Sequence, residues 1–451
     1  MSLDRGRLAA LLEAEERRFH QAHPRSFALY ERARHSLLGG VPMHWMVRWA
    51  GGFPLFVTGG EGAYLTDVDG HRYLDLCLGD TGAMTGHAPA ATVEAVRAQA
   101  GRGFTFMLPT EDAVWVGEEL ARRFGLPFWQ FAVTATDANR FAIRLARAIT
   151  GRPKILVFNW CYHGTVDETF ATLRDGRVVP RDGSLGAPVD PALTTRVVEF
   201  NDLPALEAAL AHGDVACVLA EPALTNIGIV HPTPGFHAAL RELTRRAGTL
   251  LVIDETHTIC TGPGGYTRAH GLEPDILTLG KPVAGGVPGA VYGFSEAVAD
   301  RVRAGSRLDT ADTGGIGGTL AANALATAAM RATLEHVLTE ASYRRTIPLA
   351  ERFALGVEGV IADSALPWIV KRLGCRAEYW FRPAPPRNGG EAAAAVDPEL
   401  ERYMHLAALN RGILLTPFHN MALFAPAVTE ADVDHHTGVF RESVRAEGLY
   451  R

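Results

Sequence analysis

Between about residue 90 and residue 295 the chain alternates short, almost wholly apolar runs with stretches of amphipathic helical spacing. The runs are WQFAV, KILVFN, VACVLAE, TLLVIDE and DILTLGK; the helical stretches include TVEAVRAQA, ANRFAIRLARAIT, LPALEAALAHG and GFHAALRELTRRAG. A short apolar run without polar alternation has no face to offer to water, so each predicts a strand buried on both sides. Such strands separated by helices predict a mostly parallel sheet covered on both faces, an α/β architecture. In sheets of this kind ligands bind beyond the carboxyl ends of the strands. The polar residues directly after each run are therefore the candidates for function.

The flanks read differently. Residues 5–37 predict helix, 39–52 predict a loop between GGVP and AGG, and FPLFVTGGEGAYLTDVDGHRYLDL predicts two strand-like runs around GGEG and DVDG turns. Beyond about residue 335 follow helices near 338–360, a strand in RAEYWF, a mobile loop in APPRNGGEAAAA, a helix in ELERYMHLAALNRG and a short strand in ILLTP. The last helix opens on the capping signal TEAD. The predicted organisation is a large domain over residues 86–335 and a small α+β domain built from both ends of the chain, 1–85 and 336–451. A length of 451 residues accommodates two such lobes.

Charge and composition narrow the function classes. A net charge of -6 argues against nucleic-acid binding, which needs a concentrated excess of Lys and Arg. The first 21 residues alternate charge with Leu and Ala and lack the apolar centre of an export signal, and no apolar run approaches the roughly 18 residues that cross a bilayer. The expectation is a soluble cytoplasmic protein without a membrane partner. Cys77, Cys161, Cys217, Cys260 and Cys375 form no CxxC spacing, so neither a disulfide framework nor a cysteine metal site is expected.

Four strand ends carry polar groups: VTATDAN after WQFA, NWCYHG after KILVF, EP after VACVLA and DETH after TLLVI. Asp254 closes a run of Leu, Val and Ile, where its carboxylate is desolvated and needs a compensating partner. Lys281 closes the next run in ILTLGKPVAGGVPGAVYG, 27 positions later (281 - 254). A direct ion pair is one reading of the two. A cofactor between them is the other: a lysine forms a Schiff base with an aldehyde and an aspartate keeps a pyridine nitrogen protonated, the arrangement of pyridoxal phosphate enzymes. On that reading VTATDAN supplies a phosphate cradle at a helix amino terminus, and Tyr162 covers one face of the ring.

Taken together, GGVP, GEGAYLTDVDGHRYLDL, TATDA, YHG, AEP, DE, LGK, GGT and TEADVD resemble class III aminotransferases, within pyridoxal phosphate fold type I. The resemblance covers nearly the whole chain and is strongest to the branch that includes glutamate-1-semialdehyde aminomutase. It implies that Lys281 forms the Schiff base with pyridoxal 5'-phosphate and then moves a proton between substrate and cofactor carbons, and that Asp254 pairs with the pyridinium nitrogen. It further implies cofactor contacts from Thr134, Ala135 and Thr136 (the phosphate loop), Tyr162 (stacking), His163 and Glu221; His257, at a position that departs from the family pattern, reads either as a contact to cofactor or substrate or as a hydrogen-bonded structural histidine. Thr319 in GGIGGTLAANALA matches a threonine that reaches the neighbouring subunit's phosphate, which implies a homodimer with shared active sites.

Some positions depart from the family pattern. Ala135 replaces a glycine, Asp137 a glutamate, and THTICTGPGGY follows the Asp-Glu pair where relatives carry an apolar residue, then Met or Gln, then Thr. After GGV the aminomutase pattern Asn-Ser-Pro-Val-Arg gives way to Pro42, Met43, His44, Trp45, Met46, Val47 and Arg48. The candidate substrate contacts are His44, Trp45, Arg48, Trp160 and Asn226, with Thr225 beside them; Arg48 and Arg376 are candidates for holding a carboxylate. The leading expectation is a ping-pong transaminase that moves an amino group between a bulky or aromatic amine or amino acid and a keto acid. An aminomutase or racemase using the same cofactor is the alternative. A nucleotide-binding dehydrogenase is disfavoured, because the lysine precedes the glycines of GGVPGAVYG and no GxGxxG is present.

Overall fold

The computed structural model describes residues 3–186, 189–305 and 314–450. The chain divides into two compact units, one of Met1–Pro89, Ala341–Pro385 and Ala395–Arg451, the other of Ala90–Glu340 and Pro386–Ala394. The second unit is built on a sheet whose strands we number β1 (Phe128–Ala132), β2 (Lys154–Phe158), β3 (Thr195–Val198), β4 (Val215–Ala220), β5 (Leu250–Asp254), β6 (Ile276–Leu279) and β7 (Ala290–Phe294). Their order is β1-β7-β6-β5-β4-β2-β3. From β6 to β3 every pairing is parallel, and β7 runs antiparallel to both of its neighbours.

All residues of β4, β5, β6 and β7 are buried. That is the condition the unbroken apolar runs predict, since a covered parallel strand has no solvent face. β7 escapes a reading of the sequence because AVYGF lies among glycines and prolines. It becomes a strand through the bonds it exchanges with β6 and β1 on either side.

The helix Ala135–Thr150 follows β1. Thr134 and Asp137 close its amino end with a reciprocal capping box, and Gly151, at φ +69°, terminates it. Its buried side holds Ala138, Ala142, Ile143, Leu145 and Ala146, together with one polar residue, Asn139.

One expected mobile loop is ordered. Within APPRNGGEAAAA a short helix, Gly389–Ala393, forms with Asn388 as its cap. It packs with the sheet-bearing unit: Gly390 N donates to Glu199 at 3.2 Å, and Asn201 donates to the Arg387 carbonyl at 2.8 Å. A Cβ on Gly389 would lie 2.0 Å from the Asn159 carbonyl oxygen, so the close approach itself requires glycine.

In the other unit, residues 5–37 are two helices, Arg5–Ala22 and Pro24–Ala33, rather than one. Pro24 has no N–H to give and occupies the first helical position, where none is needed. The expected loop from 39 to 52 contains two 3-10 turns, Leu38–Gly40 and His44–Arg48. The expected pair of strands is a three-strand antiparallel meander, Val57–Glu61, Tyr64–Asp67 and Arg72–Asp75, with Ile413–Leu414 added in parallel. Phe19, Phe53, Tyr73, Cys77, Leu406 and Leu409 form one of its cores and draw both ends of the chain together. A further sheet of Ile369–Leu373, Arg376–Trp380 and Met421–Leu423 is antiparallel. All five cysteines are buried, and none is joined to another in a disulfide.

Candidate active site

The carboxyl ends of β2, β4, β5 and β6 and the amino end of the helix Ala135–Thr150 carry the polar residues singled out above. Asp254 ends β5 in register with Thr278 of β6 and is 4% exposed. Its Oδ2 accepts from Asn139 Nδ2 at 2.8 Å and from His163 Nδ1 at 2.9 Å, and its Oδ1 accepts from the Thr256 amide at 3.0 Å. Burial by itself raises this carboxyl, but these donors, His163 foremost, hold it down at about 2. Burial opposes charge on His163 too, yet the Cys161 sulfur and the Asp254 carboxylate raise its pKa above the usual imidazole range. The pair is therefore an ionised carboxylate beside a protonated imidazole.

Asn139, which no sequence motif marks, belongs to the same network. It is fully buried and donates to Asp254 and to the His163 carbonyl (3.2 Å), while its own Oδ1 accepts from the Thr278 hydroxyl at 2.7 Å. A single side chain thus ties β2, β5 and β6 to the helix. The available signal was an amide on the inward stripe of an otherwise apolar helix face.

Lys281 follows β6 and Gly280. Its φ of +47° is a left-handed conformation unusual for a residue with a side chain, and the next residue is Pro282. Strained backbone of this kind is held by its surroundings and clusters at functional sites. The Nζ atom lies 2.6 Å from His257 Nε2. A hydrogen bond needs a lone pair on one partner, so the amine and the imidazole are not both charged. His257 is 5% exposed and belongs to the lysine's immediate surroundings.

The amino end of the helix forms a small cradle. Its first intrahelical bond runs from Ala138 N to Thr134 O at 3.1 Å, which leaves the amides of Ala135 and Thr136 outside the helical ladder. Added methyl groups would fill the space: a Cβ on Gly164, at φ +75°, would meet Thr136 Oγ1 at 2.1 Å, and one on Gly280 would meet the Ala135 Cβ at 2.8 Å. The methyl of Ala135 is accommodated because Gly280 has none. The Thr134 hydroxyl donates to Asp137 at 2.8 Å within the capping box. Asp137 in place of glutamate is the residue that completes that box.

Tyr162 is half-buried, and its amide donates to Glu221 Oε1 at 3.1 Å. Glu221 Oε2 accepts from Thr225 N at 3.0 Å and from the Thr225 hydroxyl at 2.5 Å. Glu221 and Thr225 are thus engaged with one another inside the protein. Trp160 adopts φ +64° with the Arg181 guanidinium 5.5 Å from its ring, and Asn226 bridges to Gly228 in the loop after β4. Thr319 is exposed on a turn.

His44, Trp45, Arg48 and Arg376 belong to the other unit. Arg48 stands 5.5 Å from the Phe418 ring, and Trp45 meets the same ring edge-on at 5.7 Å. Arg376 is fully buried and donates to the Thr81 hydroxyl at 2.5 Å. It is an internal residue of that unit.

The family model Aminotransferase class-III matches residues 46–442. This chain belongs to the class III aminotransferases. Among its relatives, the glutamate-1-semialdehyde 2,1-aminomutase of Sorangium cellulosum (strain So ce56) is 37% identical over 432 residues, covering 94% of this chain and 97% of that one. The crystal structure of a glutamate-1-semialdehyde-aminomutase from Pseudomonas aeruginosa PAO1 is 53% identical and superimposes with a TM-score of 0.96 over 99% of each chain. A lysine-to-alanine variant of that enzyme was solved in complex with PMP. A β-phenylalanine aminotransferase from Variovorax paradoxus is similar at 27% identity, with a TM-score of 0.86 over 98% of each chain. The fold of this class III member is thus the α/β fold shared by these enzymes.

Proposed function

We propose that this protein is an aminomutase that shifts an amino group within a single amino-aldehyde, from carbon 2 to carbon 1, as the names of its relatives describe. The cofactor of the class III family is pyridoxal 5'-phosphate, and the strand-end residues fit it. The observation that carries the reading is the pair of adjacent strand ends: an ionised, fully hydrogen-bonded Asp254 on β5 and a conformationally strained Lys281 just beyond β6. Bound pyridoxal phosphate supplies an aldehyde for an amine and a pyridinium ring that takes up charge from the substrate carbon.

The chain's own residues divide the remaining work. Asp254 holds a proton on the ring nitrogen, and His163 and Asn139 keep the carboxylate charged and correctly turned. Lys281 binds the aldehyde and, once displaced, carries the proton between carbons. His257, 2.6 Å from Nζ, orients the amine and shares its proton. The amides of Ala135 and Thr136 take the phosphate at the positive end of a helix. Tyr162 covers the ring, and Glu221 acts through it as a positioning residue by fixing its backbone.

An intermolecular transaminase is the second reading, favoured by the replacement of Asn-Ser-Pro-Val-Arg by the segment from Pro42 to Arg48, where Trp45 and Arg48 surround Phe418. Single-turnover assays separate the two. An aminomutase isomerises glutamate-1-semialdehyde with no added acceptor, whereas a transaminase given only an amine donor releases a ketone or keto acid and stops until an acceptor arrives. A racemase exchanges the α-proton and releases neither. Borohydride reduction of the holoenzyme places the pyridoxyl label on Lys281, and Lys281→Ala abolishes both label and turnover; a label elsewhere, or turnover by that variant, defeats the assignment.

The working unit in this proposal is a homodimer. Thr319 sits beside the exposed apolar side chains of Phe106, Met107, Leu108 and Leu320, the first three of which line a groove of about 260 Å³ with it. Apolar surface of this extent on a water-soluble unit favours a partner. Sedimentation at micromolar concentration tests the stoichiometry.

A further inference from the structure

The loop that carries DVDGHRY holds a cluster with no part in the chemistry above. His23, at the junction of the helices Arg5–Ala22 and Pro24–Ala33, faces Asp67 and His71 at the turn between two strands of the meander. One ligand-type atom from each lies within 4.8 Å of the others. His71 Nδ1 is 3.2 Å and His23 Nε2 is 3.6 Å from Asp67 Oδ2. Around a tetrahedral ion with bonds of ~2.0–2.2 Å, neighbouring ligand atoms stand ~3.3–3.6 Å apart. Both separations from Asp67 Oδ2 are thus close to the spacing of ligands, and the third is at most 4.8 Å.

Their hydrogen bonds point the same way. His23 Nδ1 lies 2.6 Å from the Phe19 carbonyl, which can only accept, so Nδ1 carries the hydrogen and the lone pair of Nε2 faces the cluster. A backbone carbonyl fixing the far nitrogen is the usual support of a metal-bound imidazole. Asp67 is held in turn by the His71 amide at 2.8 Å and the Tyr73 hydroxyl at 2.9 Å. That hydroxyl also lies 2.6 Å from His23 Nε2. One hydroxyl proton therefore faces two short contacts, and around a neutral His23 the cluster has more lone pairs than hydrogens.

The framework is pre-set and reachable. Asp69 accepts from Arg25 N at 2.7 Å and Ser26 N at 2.9 Å, pinning the turn to the start of the second helix. The side chains of His23 and Asp67 are 2% and 0% exposed, but that of His71 is 45% exposed and gives an entry path. From this geometry we infer that His23 Nε2, Asp67 Oδ2 and His71 Nδ1 form a site for one divalent transition ion of the Zn2+ type, with water completing its shell. Two imidazoles and a carboxylate are the donor set such ions take. The ion clips the helix junction to the strand turn and has no role in amino transfer.

The test is calorimetric titration of EDTA-treated holoenzyme with ZnCl2, beside His71→Ala and Tyr73→Phe. His71 is at the surface, so its loss leaves the fold intact; Tyr73→Phe keeps all three ligands and removes the hydroxyl that supports Asp67 and meets His23 Nε2. Wild type takes up one equivalent and unfolds at a higher temperature with Zn2+ present. His71→Ala binds at least about tenfold more weakly and loses the temperature shift, and Tyr73→Phe weakens binding about tenfold, as support of the carboxylate is lost. No saturable binding by wild type, or binding by His71→Ala as tight as wild type, overturns the inference.

Discussion

Asp254 and Glu221 stand at the ends of neighbouring strands of one sheet, both at most 4% exposed, and their carboxyls are shifted in opposite directions. Burial raises both carboxyls. Asp254 receives two amide-type hydrogens and one from a protonated imidazole, and it comes to rest at about 2. Glu221 receives hydrogen bonds from two backbone amides and one hydroxyl, with His163 opposing the rise only from a distance, and it stays raised. The same number of hydrogen bonds gives opposite outcomes. What separates them is one bond from a charged donor, worth roughly twice a neutral one. The sheet's carboxyl edge thus holds one carboxyl kept low by an imidazolium and one that is raised and bonded to a loop.

Removing the charge from the first tests this division most severely. Asp254→Asn keeps shape and volume but no longer stabilises a protonated ring, and kcat/KM should fall by about 10³-fold or more, the scale on which preorganised electrostatic groups act. Steady-state kinetics with the holoenzyme measures it, and a loss under tenfold would deny Asp254 its role. His163→Phe should act at one remove. Without the imidazolium the Asp254 carboxyl rises, so the acidic limb of the pH–activity profile moves toward neutrality, and stability drops by about 1.5–3 kcal/mol for a lost bond between charged groups. The sign follows from linkage: a depressed carboxyl contributes stability above its unfolded pKa, lost as pH falls through about 2. The variant should lose that contribution at a higher pH than wild type.

Much of this edge was legible in the sequence, for a physical reason. A strand covered on both faces tolerates only apolar residues, so Asp254 and Lys281 stand out where such runs end. The partners that set their chemistry were not legible. His163 meets Asp254 across 91 positions, through a strand order, β5-β4-β2, that no local pattern encodes. Asn139 sits between Ala138 and Arg140 and reads as helix surface until the helix is laid on the sheet. Thr278 looks like a β-branched member of its run, although its hydroxyl closes the network. The helix Gly389–Ala393 was obscured by composition: Asn388 caps it through Glu391 N at 2.9 Å, a signal hidden in a low-complexity stretch. Propensity and period report what a segment can do alone, and these residues are decided by what they are packed against.

The smallest expected effect concerns Glu221. If its carboxyl is already raised by burial and serves only as an acceptor for Tyr162 N and Thr225, Glu221→Gln retains one acceptor oxygen and introduces no charge. Activity should change by no more than a few-fold and stability at neutral pH by under about 1 kcal/mol, since one neutral hydrogen bond is exchanged for another. The pH dependence is the sharper readout. A carboxyl raised in the folded state contributes stability that is fully present below its unfolded pKa and is lost as pH rises through its folded one. Glutamine does not titrate, so the variant should gain on wild type as pH increases, in thermal unfolding compared between mildly acidic and alkaline buffers. If the variant instead loses ground at alkaline pH, Glu221 is held as a carboxylate like Asp254, and the contrast between the two strand ends collapses.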